Sequence, residues 1–317
     1  MGTRERRERS DQVDSKLIQL FNGALLAHNL AETQIAISAV GGYGRGELSP
    51  GSDLDLLVLH KGVNEELLTG FVNALLFPLW DEKKSIDYSV RTRQQTLEAA
   101  SEDIKVILGL LDIRYLAGDR GLVSDVAADA EEAWAKNKKI HLPRLKNSID
   151  ERSTRAGQLA YLLEPDLKES RGGLRDINAL RALSRLEELA VPLNRVAEAE
   201  SVLGSVRDAL HVTSGRHRDL LLFTEQDKVA RILNYSDADE LMLAVAKSAR
   251  TVEYVMDRTF ARIDSPRKLR IFTRKRKVEF ARGVELVNGE INLSPSHDVA
   301  SDAGIGLRAA AIAAQHS

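Results

Sequence analysis

The sequence predicts an α+β protein, a small mixed sheet near the N-terminus followed by a helical domain. Three observations carry this. Short apolar runs bounded by glycine and turn residues fall between Gln34 and Thr92. From there to about Ile263 the apolar spacing is mostly helical. Ala, Leu and Arg are abundant while aromatics make up only 5% of the 317 residues, a balance that favours helices over a large sheet.

At roughly 150 residues per domain the length corresponds to about two domains. Hydrophobic residues at 43% and charged residues at 29% suffice for an ordinary core. A net charge of −2 calls for neither a nucleic-acid nor a membrane partner. The absence of cysteine excludes disulfides, Cys-ligated zinc and thiol catalysis. The charged start, Arg4 to Arg9, has no apolar stretch behind it, and no apolar run reaches the ~18 residues of a membrane span. A cytoplasmic protein is the expectation.

Residues 14–30 place Leu17, Leu20, Phe21, Leu25 and Leu26 on one helical face. Gln34–Val40 reads as a strand ending in the glycine cluster Gly41-Gly42-Tyr43-Gly44-Arg45-Gly46. A turn at Ser49-Pro50-Gly51-Ser52 leads into a second strand, Asp53–Leu59. An amphipathic helix over Asn64–Leu79 and a third strand over Ser85–Thr92 follow. After Ser265-Pro266 comes a basic run, Arg267 to Lys277. Val284–Val287 and Glu290–Leu293 then read as a hairpin about an Asn288-Gly289 turn, with a loosely ordered tail behind.

Asp53 and Asp55 are two apart at the start of a strand, so both side chains leave the same face. Two carboxylates so placed repel unless a cation lies between them, and hard oxygen ligands suit Mg²⁺. The preceding glycines allow close backbone approach and an anion nest. A phosphate cradle beside paired carboxylates is what metal-assisted nucleotidyl transfer requires. Asp87 alternates with Ile86, Tyr88 and Val90; with those three in the core, Asp87 and Ser89 face the cleft and Asp87 is a third ligand. A phosphate-binding P-loop is excluded because Glu47 follows Gly46, and no frame of the cluster gives the dinucleotide spacing. An EF-hand is excluded because Asp55 runs directly into Leu56-Leu57-Val58-Leu59.

These residues resemble the polymerase-β-type nucleotidyltransferase superfamily, whose pattern is a strand, a Gly-Gly or Gly-Ser turn, then Asp-x-Asp about ten residues on. Here that is Gly41-Gly42 and Asp53-Leu54-Asp55. Gly41–Leu57, Ser89–Thr92, Leu110–Asp119 and Leu163–Asp176, in this order, resemble the N-terminal half of the PII-protein uridylyltransferase/uridylyl-removing enzymes, over roughly Ile35 to Ile263.

The resemblance implies a polymerase-β-like catalytic domain over residues 1–140 and a helical nucleotide- and substrate-contacting domain over 141–264. Residues 265–317 would then be a basic strand-hairpin segment and tail at the start of an HD domain. It implies transfer of a nucleoside monophosphate, UMP or AMP, from a nucleoside triphosphate to a tyrosine hydroxyl of the PII nitrogen-signalling protein. Asp53, Asp55 and Asp87 would be the catalytic carboxylates and the ligands of two Mg²⁺ ions, with Mn²⁺ able to substitute. Gly41, Gly42, Arg45, Ser52, Lys168 and Arg171 would contact nucleotide and phosphate.

Lys168, Arg171 and Arg175 flank glycines ahead of a helix at Leu174–Leu189, a setting that suits an anion. The other reading is a tight turn in which Arg171 and Arg175 pair with Glu164, Asp166 or Asp176. The run Arg267–Lys277 lacks interleaved aromatics apart from Phe272, so no nucleic acid is expected. His211 and His217 read as surface or helix-packing residues. The His297-Asp298 dipeptide sits in a turn-like context, so no hydrolase activity is expected of it. Two rival functions remain, an RNA nucleotidyltransferase and a catalytically silent nucleotide-binding regulatory module.

Overall fold

The structure is a computed structural model that describes residues 2–215, 218–264, 277–287, 290–294, 297–298 and 301–316. The chain divides into two units, Met1–Ile263 and Asp264–Ser317.

The first unit opens with α1 (Thr3–His28), then β1 (Ile35–Ala39), the single turn α2 (Gly41–Gly44), β2 (Leu54–His60), α3 (Glu65–Asp81) and β3 (Ile86–Arg91). Next come α4 (Arg93–Glu102), α5 (Ile104–Leu110) and β4 (Arg114–Gly118). The remainder is helical: α6 (Arg120–Lys136), α7 (Lys138–Ala156), α8 (Leu174–Ser184), α9 (Ala197–Ser214), α10 (Phe223–Ile232) and α11 (Ala238–Asp264). The strands form one mixed sheet in the order β3-β2-β1-β4. β1 is antiparallel to both β2 and β4, whereas β2 and β3 run parallel.

The sheet buries both faces. On one, Ile35, Ile37, Leu54, Leu56 and Val58 pack with Leu17 and Phe21 of α1 and Phe71, Leu75 and Leu76 of α3. Phe21 and Phe71 meet edge to face at 5.4 Å, a geometry worth about 0.5–1.5 kcal/mol beyond the area they bury. On the other face Ala36, Leu57 and Leu59 join the larger core of the helical part. There Trp134 is buried, stacks on His141 and donates its indole N–H to the Ala182 carbonyl at 2.9 Å. Asn64 caps α3 and Thr92 with Gln95 forms a capping box on α4, which fixes where each helix leaves the sheet.

Several expectations need correcting. Arg114–Gly118, read as part of a helical stretch, is the fourth strand, because its alternate residues fit beside β1 through a bulge at Ile37/Ser38. α1 starts eleven residues earlier than its apolar stripe; Arg6, inside that extension, is buried against Asp208 at 3.0 Å. Leu26 lies off the buried stripe of Leu17, Phe21 and Ala24 and is 85% exposed. Tyr88 is not a core residue: β3 is an edge strand, and the ring reaches Trp80 of α3 while remaining 41% exposed.

In the second unit, β5 (Lys277–Ala281), β6 (Val284–Val287) and β7 (Glu290–Leu293) form an antiparallel sheet, so both expected hairpin strands are present. The tail is not loose: Ile305–His316 forms α12, and Ile305 and Ile312 pack on Val284. Residues 265–276, which hold all but the last residue of the basic run, the Asn288-Gly289 turn and His217 lie outside the described residues. Among the described residues no helix is long and apolar enough to cross a membrane.

Candidate active site

The parallel pairing of β2 and β3 sets Asp55 directly opposite Asp87. Along β2, Leu54, Leu56 and Val58 turn to the α1/α3 core, leaving Asp55 on the opposite face with Leu57 and Leu59. Ile86 and Val90 of β3 likewise pack against the α1/α3 core. The alternate residues Asp87, Ser89 and Arg91 line a cleft of about 690 Å³ together with Asp53 and Asp55. The far wall comes from one face each of α7 and α8, including Ser148, Arg152, Arg175 and Asn178.

Burial pushes the Asp55 carboxyl up to about 6; the Lys168 ammonium pulls against this, while Asp87 and Asp53 drive it further up. Asp53, Asp87 and Lys168 thus all act on Asp55. Among the described residues no set of three His, Cys, Asp or Glu side chains stands gathered closely enough to hold a metal ion.

Gly41 has φ +57°, a backbone that favours glycine, and a Cβ there would lie 3.2 Å from Asp55 Oδ2, so the carboxylate would have to give by a few tenths of an ångström. The glycine cluster forms a single helical turn. The N–H groups of Gly44, Arg45, Gly46 and Glu47 donate to the carbonyls of Val40, Gly41, Tyr43 and Gly42. Gly42 and Ser52 line the cleft as expected, and the Ser52 hydroxyl accepts the Ser49 N–H at 3.1 Å. Arg45 also lines the cleft, but Glu47 (2.8 Å) and Asp112 already answer its charge.

Lys168 lines the cleft and sits in a turn where Asp166 Oδ1 accepts its N–H at 2.9 Å. Arg171 is not brought to the cleft; it pairs with Asp257 of α11. Arg175 lines the cleft and pairs with Glu169 at 2.7 Å. The acids expected to take these arginines are engaged elsewhere. Glu164 accepts the Phe223 N–H, and buried Asp176 pairs with Arg152 at 2.7 Å. His211 is buried on α9 and accepts the Gly51 N–H at 3.0 Å. Sequence reasoning missed Arg91, although it shares the two-residue phase of Asp87 and Ser89. It also missed Arg152, Asn178 and Arg207, which carry no local motif.

A family model described as GlnD PII-uridylyltransferase matches residues 143–195 and 191–260, and one described as a nucleotidyltransferase domain matches residues 25–116. A bifunctional uridylyltransferase/uridylyl-removing enzyme of Streptomyces coelicolor is 41% identical over 99% of this chain. The chain belongs to the GlnD PII-uridylyltransferase family. Enzymes of the same description from Mycobacterium tuberculosis and Corynebacterium glutamicum are 34% and 32% identical over 88% and 92% of the chain. The chain spans 39% of the length of the Streptomyces relative and 36% and 42% of the other two. The nucleotidyltransferase match takes in the glycine turn, the Asp53/Asp55 strand and β3, and the GlnD match takes in Lys168 and the α7/α8 wall.

Proposed function

We propose that this chain is a Mg²⁺-dependent nucleotidyltransferase that moves a nucleoside monophosphate from a nucleoside triphosphate to a tyrosine hydroxyl of a PII signalling protein in the cytoplasm, releasing pyrophosphate. UTP is the first donor to test. The observation that carries the reading is the strand register that sets Asp55 opposite Asp87 on a cleft that Asp53 and Lys168 also line.

The donor set fits Mg²⁺. Such an ion is commonly held by one or two carboxylates, with substrate phosphates and water completing the octahedron, so a closed protein cage is not required. Asp53 and Asp87 act on the Asp55 carboxyl, and a cation between like charges so placed would relieve their repulsion. The φ and close approach at Gly41 keep the chain against Asp55 without a side chain intruding. When bound, Mg²⁺ neutralises the triphosphate and favours in-line displacement.

The residues then divide the work. Asp53 and Asp55 hold the metal side of the triphosphate, and Lys168 meets its charge from across the cleft. Asp87, on the edge strand, accepts the proton of the acceptor hydroxyl as that oxygen bonds to the α-phosphorus and pyrophosphate leaves. Gly41, Gly42, Arg45 and Ser52 shape the phosphate side. Arg171 belongs to the turn and not to the nucleotide.

Removal of the nucleotide is not assigned to these residues. His297 bonds Asp302 at 2.7 Å, and Asp302 also takes Arg308, so the dipeptide His297-Asp298 is spoken for by its own turn.

The test is to incubate the chain with a purified PII protein, Mg²⁺ and each of the four nucleoside triphosphates labelled at the α-phosphorus. Label on PII tyrosine with UTP is expected. Transfer to RNA instead, or no transfer with any of the four, would overturn the reading.

A further inference from the structure

The turn that delivers Asp53 is not held by the strand alone. Its Gly51 N–H donates to His211 Nδ1 at 3.0 Å, and Arg207 donates to the hydroxyls of Ser49 (3.0 Å) and Ser52 (3.3 Å). An Nδ1 that accepts carries no proton, so the hydrogen is on Nε2, which donates to Asp219 Oδ1 at 2.8 Å. Arg207 Nε donates to the same carboxylate oxygen at 2.6 Å. His211 and Arg207 are one helical turn apart on α9, so both reach Asp219 together.

Asp219 has a second set of contacts. Its carbonyl accepts the Leu167 N–H at 2.9 Å, and the Leu221 N–H donates to Pro165 at 2.9 Å. Asp166 and Leu220 form an antiparallel bridge between these contacts. The residue after Leu167 is Lys168. Asp219 thus touches the Lys168 segment directly and the Asp53 turn through His211 and Arg207. Although burial pushes the other way, the contacts from His211 and Arg207 hold the Asp219 carboxyl well below the usual carboxylate range.

We infer that Asp219, acting through His211 and Arg207, is a positioning residue that keeps the Asp53 turn and the Lys168 segment in register across the cleft. This rests on the nucleotidyl-transfer reading above. A metal-side carboxylate and a phosphate-side lysine must meet one triphosphate at once, and a misplacement of about 1 Å at such a site can cost about 10²-fold in rate.

His211 can be split by substitution. His211→Asn keeps an acceptor where Nδ1 stands and loses the Asp219 contact; His211→Gln keeps a donor near Nε2 and loses the acceptor for Gly51. Asp219→Asn keeps the shape of the node and removes its charge. Transfer kinetics, melting temperature and hydrogen exchange of the peptides spanning 48–54 and 163–169 are measured for each. His211→Gln is expected to lower kcat by about tenfold or more, with faster exchange over 48–54, and His211→Asn, which keeps the Gly51 acceptor but loses the Asp219 contact, to lower kcat and speed exchange by less at a similar melting temperature. Asp219→Asn is expected to speed exchange in both peptides. Parental exchange over 48–54 in His211→Gln, or kcat losses that merely follow melting temperature in all three variants, would overturn the inference. Absence of transfer by the parent chain would sink the nucleotidyl-transfer reading instead, and the exchange data would still decide whether Asp219 links the two segments.

Discussion

Asp55 and Asp87 stand opposite each other on adjacent parallel strands, and burial makes Asp55 costly to keep charged. That cost makes Asp55 a measurable liability in the metal-free protein. A carboxyl raised to about 6 takes up its proton more readily folded than unfolded. Its contribution to stability is full below the unfolded value near ~4 and is lost as pH rises through the folded value. With metal chelated, Asp55→Asn should be more stable than the parent above about pH 7 by on the order of 2 kcal/mol. The difference should close toward about pH 4. Thermal melts across pH in chelator check this; a destabilised Asn variant at neutral pH would contradict it.

Asp53→Asn should lower turnover by about 10²-fold or more, comparable to losing one preorganised electrostatic contact, with little change in melting temperature. Asp87→Ala should reduce kcat more than nucleotide affinity, since its assigned task is the acceptor proton. Steady-state kinetics beside equilibrium nucleotide binding separate the two. Weaker binding at unchanged kcat would take Asp87 out of the chemical step.

Lys168 and Arg171 are three residues apart yet should behave differently. Lys168→Ala should raise KM for the triphosphate severalfold, because its ammonium acts on the Asp55 side of the cleft. Arg171→Ala should leave nucleotide kinetics alone. It removes a partly exposed pair with Asp257, so its effect on stability should be about 0–1 kcal/mol. Equal effects on KM would show that the turn and not the charge matters.

Gly41→Ala should cost stability by about 1–2 kcal/mol for its left-handed backbone, and should reduce turnover through the contact with Asp55 Oδ2. Gly42→Ala should lose far less of both, because its added methyl would meet nothing nearer than Arg45 at 3.8 Å. Side-by-side melts and initial rates test the contrast.

The parts legible in the sequence are those written in short-range code. A period of two reads Asp53 with Asp55 and Asp87 with Ser89, and the strand-turn-strand spacing places the glycines beside them. Arg114–Gly118 was opaque because its bulge against β1 interrupts the alternation that would reveal a strand. Lys168 and Arg171 share one basic block, and only the position of α11 shows that Asp257 claims the second. The pairing of Gly51 with His211 spans 160 positions, a separation at which no local pattern operates.

The chain runs up β2, returns through α3 and starts β3 at the level where β2 began, Leu54 pairing with Ile86. Chain direction therefore gives the two ends of this crossover unequal freedom. The link from α3 to β3, residues 82–85, ends beside the carboxylates, and its Ser85 carbonyl receives the Leu54 N–H at 2.9 Å. The link from β2 to α3 turns at the opposite end of β2, where Gly62 faces open space. Extra residues, a tag or a fluorophore grafted at Gly62 would ride on the blunt end of the crossover, making that corner the natural handle for watching the protein without disturbing Asp55 and Asp87.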